Sequence, residues 1–254
     1  MTGQSATGKL AWITGASTGI GRALALRLAR DGWRVAASAR GAEMLASLAA
    51  EGGGAVRAFP LDVTDAAAAA RVAAEIEREL GPVDLAVVNA GTYAPTPADA
   101  FDAAVVRRLV EVNLLGAANT LAAAMPEMIR RKGGQIAVVA SVAGYRGLPR
   151  AAAYSASKAG LIALAEALKF DLDRHGVKIQ VINPGFVRTP LTDKNDFAMP
   201  FLMEVDDAVE RIVRGLAGNA FEIAFPSRFV WILRLLGLLP DRLYFPLVAK
   251  ATGE

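Results

Sequence analysis

Thr14-Gly-Ala-Ser-Thr-Gly-Ile-Gly21 begins at the last residue of a largely apolar run at 9–14 and precedes a stretch with leucines at positions 24, 26 and 28. Glycines at these positions let a loop turn tightly between a strand and a helix, and let its backbone come close to a bound group. The amides and the dipole at the start of the helix would then hold a phosphate. The stretch predicts a phosphate-binding strand, loop and helix, although a glycine-rich turn without a ligand has the same pattern.

Short β-rich runs alternate with longer, alanine-rich helical stretches along the chain. The runs are almost continuously apolar, which is typical of strands in a parallel sheet that helices cover on both faces. We therefore predict an α/β fold with a doubly wound parallel sheet of about seven strands, the Rossmann-type architecture, in a single domain. The seven predicted strands are 9–14, 33–39, 55–60, 83–88, 135–140, 177–182 and 222–225.

The length of 254 residues suits one large α/β domain, and no repeat or linker divides it. We predict an N-terminal tail at 1–8, a nucleotide-binding and catalytic domain at 9–226, and an apolar, basic C-terminal segment at 227–254. The alternation of strands and helices stops after Asn183-Pro-Gly185. The apolar loop that follows, at about 189–206, is predicted to be a lid over a ligand.

The composition excludes several classes of site. The chain has no cysteine and one histidine, so a disulfide framework is impossible and we predict no metal site. Redox chemistry would need an organic cofactor. Lysines and arginines are spread along the chain without interleaved aromatic residues, so no nucleic-acid partner is expected. The first eight residues lack a basic stretch followed by an apolar core, and a cytoplasmic location is therefore expected.

Tyr154 and Lys158 are four residues apart in a predicted helix, and Ser141 ends the fifth predicted strand. Side chains at this spacing share one face of a helix, which brings the ammonium near the phenol. A neighbouring cation lowers a phenol pKa from about 10, so that the group can act as an acid or base. The three residues predict a site that reduces carbonyls, although a tyrosine and a lysine at this spacing also form ordinary surface pairs.

Further motifs surround these residues in a fixed order. Asn89-Ala-Gly91 follows the fourth predicted strand, Asn113 lies in a helix, and Pro184-Gly185 precedes Thr189. Together with T-G-x-x-x-G-x-G, the serine and Y-x-x-x-K, this order resembles the short-chain dehydrogenase/reductase family over positions 9 to about 190. One departure is Val88, which stands where the family usually has the first asparagine of Asn-Asn-Ala-Gly.

The resemblance implies a catalytic set of Ser141, Tyr154, Lys158 and Asn113. Tyr154 would donate a proton to a carbonyl oxygen, and Ser141 would hydrogen-bond the same oxygen. Lys158 would lower the Tyr154 pKa and hold the nicotinamide ribose. Asn113 matches the family residue that positions a water for proton relay. A structural partner for its amide is the other interpretation, because its helix neighbours are apolar.

The resemblance also implies a nicotinamide dinucleotide. NAD-preferring members carry an acid where this chain has Ala39, and the Arg40 guanidinium that follows suits a 2′-phosphate. NADP is therefore expected, with NAD as the alternative if Arg40 is only a solvated loop residue. Asp62 matches the residue that binds the adenine amino group. The implied cofactor-binding residues are Gly15, Ser17, Thr18, Gly19, Ile20, Gly21, Arg40, Asp62, Val63, Asn89, Ala90, Gly91, Tyr154, Lys158, Pro184, Gly185, Val187 and Thr189.

The complete set of motifs favours an NADP-dependent oxidoreductase that moves hydride between the nicotinamide and a small-molecule carbonyl or alcohol. The alternatives are an NAD-dependent alcohol dehydrogenase, a catalytically silent NADP-binding protein, and an epimerase or dehydratase of the longer, extended branch. Apolar candidate lid residues such as Leu191, Phe197 and Met199 favour a lipophilic ketone or aldehyde. Family members usually form homodimers or homotetramers through the helices predicted here at about 101–132 and 151–175.

The C-terminal segment lies outside the resemblance. It is strongly apolar, and between positions 227 and 250 it carries Arg228, Arg234, Arg242 and Lys250 with only one acid, Asp241. Prolines and charges interrupt the apolar run too often for a spanning helix. Two coverings stay open. The segment packs on the substrate pocket or a neighbouring subunit, or it makes peripheral contact with a membrane, its basic residues towards anionic head groups.

Overall fold

One parallel sheet runs through residues 8–194 and 199–253, which are the residues that the computed structural model describes. Its strands are β1 (Leu10–Thr14), β2 (Arg34–Ser38), β3 (Val56–Ala58), β4 (Leu85–Val88), β5 (Gln135–Val139), β6 (Lys178–Pro184) and β7 (Glu222–Phe225). Their order is β3-β2-β1-β4-β5-β6-β7, and all neighbours are parallel. The predicted fold class is therefore confirmed, with β3 shorter and β6 longer than their apolar runs indicate.

Helices connect these strands and cover both faces of the sheet. They are α1 (Gly19–Arg30), α2 (Ala42–Glu51), α3 (Ala66–Leu80), α4 (Ala103–Val110), α5 (Gly116–Arg131), α6 (Ala152–Arg174), α7 (Val205–Ala217), α8 (Ser227–Gly237) and α9 (Asp241–Thr252). Residues from α3, α5 and α6 share one layer of the core, whereas residues from α1, α2 and α7 share the other.

The apolar runs of the sequence follow from this double covering. In β1, Leu10 and Trp12 pack in the layer of α3, α5 and α6, while Ala11 and Ile13 pack in the layer of α1, α2 and α7. None of the four is more than 1% exposed. Successive side chains of a strand point to opposite faces, so a strand that is covered on both faces is apolar at almost every position.

The order in which strands are added to the sheet reverses at β1, because β2 lies on one side of this strand and β4 on the other. Loops that leave the carboxyl ends of such strands diverge and open a crevice, where ligands of open α/β sheets bind. The glycine-rich loop follows β1, and Asn89-Ala-Gly91 follows β4. The topology thus places the two predicted cofactor loops side by side.

Three segments differ from the simple sequence prediction. The helix expected at about 101–132 is α4, a π-helix at Glu111–Leu115, and α5 in succession. The predicted lid contains a 3₁₀-helix at Thr192–Lys194, while 195–198, with Phe197, lies outside the described residues, as does most of the predicted tail. The C-terminal segment forms α8 and α9. Among the described helices, none has both the length and the apolar character that crossing a membrane requires.

Candidate active site

The loop after β1 has a shape that only glycine permits. Gly15 and Gly19 have φ angles of 66° and 54°. A Cβ on Gly15 would lie 2.7 Å from the Ala90 Cα, and one on Gly21 would lie 2.4 Å from the Gly15 carbonyl oxygen. The Thr18 side chain makes no capping hydrogen bond to α1, so the first amides of this helix remain available to an anion.

Asn89 fixes this loop to the end of β4. Its side-chain Nδ2 donates to the carbonyl oxygens of Thr14 at 3.0 Å and Gly15 at 3.1 Å. Its backbone amide donates to Thr14 Oγ1 at 3.1 Å. The side chain predicted to bind a cofactor therefore also holds the glycine loop in place, which a ligand-binding role alone would not require.

A cleft of about 490 Å³ lies where these loops meet. Its lining includes every residue predicted to bind a cofactor, together with Ser141. These residues come from segments that are far apart in the sequence, and the sheet brings them together at the carboxyl ends of its strands. Of the predicted site residues, Asn113 alone does not line the cleft.

One end of the cleft carries Arg40 and Asp62. Arg40 is exposed directly after Ala39, which is 9% exposed. Asp62 Oδ1 accepts hydrogen bonds from the Thr64 amide at 3.0 Å and from Thr64 Oγ1 at 2.8 Å. These bonds lower the Asp62 pKa, and the Arg40 charge lowers it further. Among the described residues that line the cleft, Asp62 is the only carboxylate, and the exposed Arg40 guanidinium is the cation that interacts with it.

Tyr154 and Ser141 meet at another part of the cleft. Tyr154 lies in the first turn of α6, and both its side chain and that of Ser141 line the cleft. The Tyr93 ring packs edge-on against Tyr154, with 5.3 Å between ring centroids. Burial raises the pKa of Tyr154 to about 12, and the nearby Ser141 hydroxyl opposes this shift only in part. The phenol is therefore protonated at neutral pH and can donate a proton.

Lys158 lies one helical turn beyond Tyr154 and is 4% exposed. Its Nζ donates to the Val139 carbonyl oxygen at 2.9 Å and lies 5.7 Å from the centroid of the Tyr154 ring. Burial lowers the pKa of Lys158 to about 8. The sequence predicted that this cation lowers the Tyr154 pKa, whereas in this structure burial raises that pKa. The ammonium remains mostly charged at neutral pH.

Asn113 lies in the π-helix and is fully buried. Its Oδ1 accepts from the Thr92 amide at 2.7 Å, and its Nδ2 donates to the Thr92 carbonyl oxygen and to Ser157 Oγ, both at 3.0 Å. The amide thus joins the loop after β4 to α6, which agrees with the structural interpretation. Its role in positioning a water stays a prediction.

Three aromatic rings join the predicted lid to the C-terminal segment. The Phe229 ring of α8 stacks on Phe186 at 5.7 Å and lies 5.8 Å from Phe201, measured between centroids. Phe201 has a φ of 58°, in the left-handed region that a bulky residue rarely adopts. The loop after β6, the lid and α8 therefore meet through one apolar contact.

Sequence reasoning missed several residues of the cleft, among them Met44, Thr92 and Val112. Thr92 directly follows Asn89-Ala-Gly91, so extending that motif by one residue would have found it. Met44 lies in α2 and Val112 in the π-helix, where the surrounding sequence carries no signal for a ligand. Their positions follow from how these helices pack on the sheet.

The comparisons with known proteins agree with this geometry. A family model described as short chain dehydrogenase matches residues 9–199. Over 239 residues the chain is 43% identical to an uncharacterized oxidoreductase of Myxococcus xanthus, covering 93% of this chain and 94% of that protein. It is 37% identical to the 3-oxoacyl-[acyl-carrier-protein] reductase of Homo sapiens, covering 87% and 90% respectively.

A solved structure gives the same result. The short chain dehydrogenase/reductase of Burkholderia phymatum, crystallised in complex with NAD, superposes with a TM-score of 0.83 at 25% sequence identity. The match covers 91% of this chain and 93% of that chain. On the family model and these relatives together, the chain belongs to the short-chain dehydrogenase family.

Proposed function

We propose that this oxidoreductase uses NADP to interconvert a lipophilic ketone or aldehyde and its alcohol. The observation that carries the proposal is the grouping of three side chains at the cleft. Tyr154 is a protonated phenol, Ser141 is a second hydroxyl on the lining of the same cleft, and Lys158 is a buried ammonium one helical turn from Tyr154. Such a grouping can deliver a proton to an oxygen bound between the two hydroxyls.

The cleft fits a nicotinamide dinucleotide. A Cβ on Gly15 or Gly21 would collide with the backbone of Ala90 or Gly15, so glycine at both positions lets the loop fold tightly in front of α1, which suits a pyrophosphate that needs close backbone approach. A Cβ on Gly91 would lie 3.5 Å from Lys158 Nζ, so glycine here leaves room for a ribose beside the ammonium. When bound, the nicotinamide supplies or accepts the hydride. The NAD complex of the Burkholderia relative supports a cofactor of this class.

The side chains of the chain account for the proton. In the reducing direction, Tyr154 Oη gives its proton to the carbonyl oxygen as the carbonyl carbon receives hydride, which yields the alcohol. Ser141 Oγ donates a hydrogen bond to the same oxygen. The phenolate that Tyr154 then carries is stabilised by the nearby Lys158 charge and is reprotonated from solvent. Oxidation of the alcohol runs through the same groups in reverse.

The preference for NADP rests on the end of the cleft near Arg40. Ala39 occupies the position at which an acid would bind both ribose hydroxyls, and Arg40 is exposed beside it. A guanidinium and a phosphate make a charge-assisted contact that a ribose hydroxyl cannot replace. NAD remains the second candidate because the Burkholderia relative was crystallised with it.

A lipophilic substrate is supported by the apolar contact of Phe186, Phe201 and Phe229 beside the predicted lid at 189–206. These rings offer no charge to a phosphate or carboxylate on the substrate. The human relative acts, by its name, on a 3-oxoacyl group attached to a carrier protein. A carbonyl on an apolar chain is the substrate class that fits both observations.

The proposal includes a homodimer or homotetramer and a peripheral membrane contact through the C-terminal segment. In the structure, Ala163 and Ala167 are exposed on α6, whereas Ala165 is buried in the core. Small exposed residues at this spacing permit close packing against another helix. We expect the copies to meet there. The membrane contact rests on the exposed side chains of α8 and α9.

The function is tested by offering the purified protein NADPH or NADH with a panel of ketones and aldehydes of increasing chain length. Oxidation of the cofactor, read by its absorbance, should be faster with NADPH and should increase with the apolar character of the carbonyl. Cofactor binding without turnover on any carbonyl or alcohol would instead indicate the catalytically silent protein. Faster turnover with NADH would exclude the cofactor assignment alone.

A further inference from the structure

The last two helices, which we call the C-terminal hairpin (α8 and α9), expose large apolar side chains. On α8 and just after it, Trp231 and Leu235 are each 61% exposed and Leu238 is 83% exposed. Their spacing of four and three residues places them on one face of the helix. A monomer rarely exposes such a row of large apolar residues unless that face meets a partner or a membrane.

The hairpin is nevertheless firmly attached to the domain by its other face. Phe229, Val230, Tyr244 and Val248 are buried. The Arg146 guanidinium donates to the carbonyl oxygens of Gly237 at 3.2 Å and Leu239 at 2.9 Å, and lies 3.7 Å from the centroid of the Tyr244 ring. It also pairs with Asp241. The hairpin is therefore packed on the domain, and the exposed row lies on its outer face.

The charges of the hairpin are strongly biased. Arg234 pairs with Glu222 of β7, and the acid Asp241 is neutralised by Arg146. Arg228, Arg242 and Lys250 are exposed, and none has an ion-pair partner within the described part of the chain. On the α8 helix, Arg228 precedes Trp231 by three residues and so lies beside the apolar row. The surface thus combines apolar side chains with unpaired positive charge.

We propose that the C-terminal hairpin docks on the surface of an anionic lipid bilayer. Trp231, Leu235 and Leu238 would enter the boundary between head groups and acyl chains, and Arg228, Arg242 and Lys250 would contact anionic head groups. A tryptophan on such a face suits that boundary because its ring is apolar and its N–H is polar. A second copy of the chain fits less well, because symmetric contact would place the same unpaired cations against each other.

The docked surface adjoins the predicted lid. The Phe229 ring on the buried side of α8 contacts the Phe201 ring of the predicted lid. A lipophilic carbonyl dissolved in the bilayer would therefore reach the lid without crossing bulk water. This delivery rests on the proposed function, whereas docking itself rests on the hairpin alone.

Vesicle flotation of the full chain, without substrate or cofactor, tests the proposal. We expect the protein to float with vesicles of phosphatidylcholine mixed with phosphatidylserine, to float weakly with phosphatidylcholine alone, and to detach as salt screens the charges. Trp231 emission should shift to shorter wavelengths on binding, and the shift should be lost in Trp231→Phe. Trp12 is only 1% exposed and reports that the fold is intact.

Charge-reversed variants supply the matched control. Arg228→Glu places a carboxylate in the first turn of α8, where the helix dipole stabilises it, and should reduce partitioning onto anionic vesicles about tenfold or more. Arg211→Glu makes the same charge change at an exposed position of α7 and should leave flotation unchanged. Equal effects of the two variants would show attraction by overall charge only and would overturn the proposal.

The apolar row is tested by the double variant Leu235→Ser with Leu238→Ser. We expect it to lose flotation and keep its oligomeric state by light scattering. Absence of flotation by the unaltered protein, or dissociation of an oligomer by this variant, would overturn membrane docking, the latter in favour of a contact between copies. Flotation by a protein that turns over no carbonyl would leave docking in place and exclude the proposed function.

Discussion

At the scale of single residues, burial decides the protonation states of the reacting groups. It raises the pKa of Tyr154 to about 12 and lowers that of Lys158 to about 8. Both shifts favour the neutral form, because a charge in a poorly solvated site is costly. A neutral phenol is ready to give a proton, whereas a phenolate must form before it can take one. The phenol of the resting site is therefore in the form that donates a proton.

Tyr154→Phe removes one oxygen and keeps the ring against Tyr93. We expect the turnover of carbonyls to fall about a hundredfold or more, since the proton donor is lost. NADPH binding, measured by fluorescence titration, should be nearly unchanged. Lys158→Met should weaken both turnover and binding, because the ammonium lies where the ribose is expected. Equal loss of binding in the two variants would contradict this division of roles.

Lys158→Met should also stabilise the protein without cofactor. With about 1.4 kcal/mol for each pH unit between two pKa values, keeping Lys158 charged costs the folded chain about 3 kcal/mol at pH 7. Methionine also leaves the Val139 carbonyl without this donor, which costs about 1 kcal/mol. We expect the variant to be about 2 kcal/mol more stable in urea unfolding.

The stability difference between Lys158→Met and the wild type should depend on pH. The folded lysine loses its proton near pH 8 and the unfolded one near pH 10.5, so the unfolded state binds more protons between these values and the wild type gains stability there. The advantage of Lys158→Met should therefore shrink as the pH rises from about 8 to about 10.5. An advantage that stays constant across this range would refute buried charge as its source.

Arg40→Ala should erode the preference for NADPH. A charge-assisted contact to a phosphate contributes about 1.5–3 kcal/mol, which is about tenfold or more in the ratio of kcat/KM between NADPH and NADH. The change should appear mainly in the Michaelis constant for NADPH. Arg211→Ala, on a helix away from the cleft, is the control. An unaltered ratio in Arg40→Ala would exclude this side chain as the phosphate contact.

At the scale of elements, one side chain fastens the C-terminal hairpin to the segment between Ser141 and Tyr154. Arg146→Ala removes two hydrogen bonds, an ion pair and a ring contact, and we expect it to cost about 2 kcal/mol. Amide hydrogen exchange in α8 and α9 should accelerate. Arg242→Ala changes an exposed arginine of the same hairpin and should leave both readouts unaltered. Unchanged exchange in Arg146→Ala would show that the apolar contacts and the other polar contacts, such as the Arg234–Glu222 pair, hold the hairpin without Arg146.

Elements also show what the sequence could predict. The strands and the glycine loop were predictable because burial on both faces and positive φ angles restrict residue type locally. The Tyr154 and Lys158 pair was predictable from helical spacing. The direction of the Tyr154 pKa shift was not, because desolvation depends on packing by residues such as Tyr93 from another segment. The contact of Arg146 with Tyr244 spans 98 positions of the chain and carries no local pattern.

At the scale of the whole molecule, the proposed assembly uses the outer side of α6. We expect a dimer or tetramer by light scattering at micromolar concentration. Ala167→Arg places a long cation on this exposed face and should lower the mass to that of the monomer. Ala67→Arg makes the same change at an exposed alanine of α3 and should have no effect. A monomeric unaltered protein, or an intact oligomer in Ala167→Arg, would refute this interface.

The position of the hairpin has a consequence for how such a chain can diverge. β7 is the edge strand of the sheet, and α8 and α9 follow it, so they are appended at the margin and interrupt no strand pairing. The cofactor loops and reacting side chains are all encoded upstream. Replacing the final stretch of the gene would therefore change the surface on which the proposed docking places the enzyme, without changing the residues of the cleft. The new sequence would need to provide hydrogen-bond and ion-pair partners for Arg146.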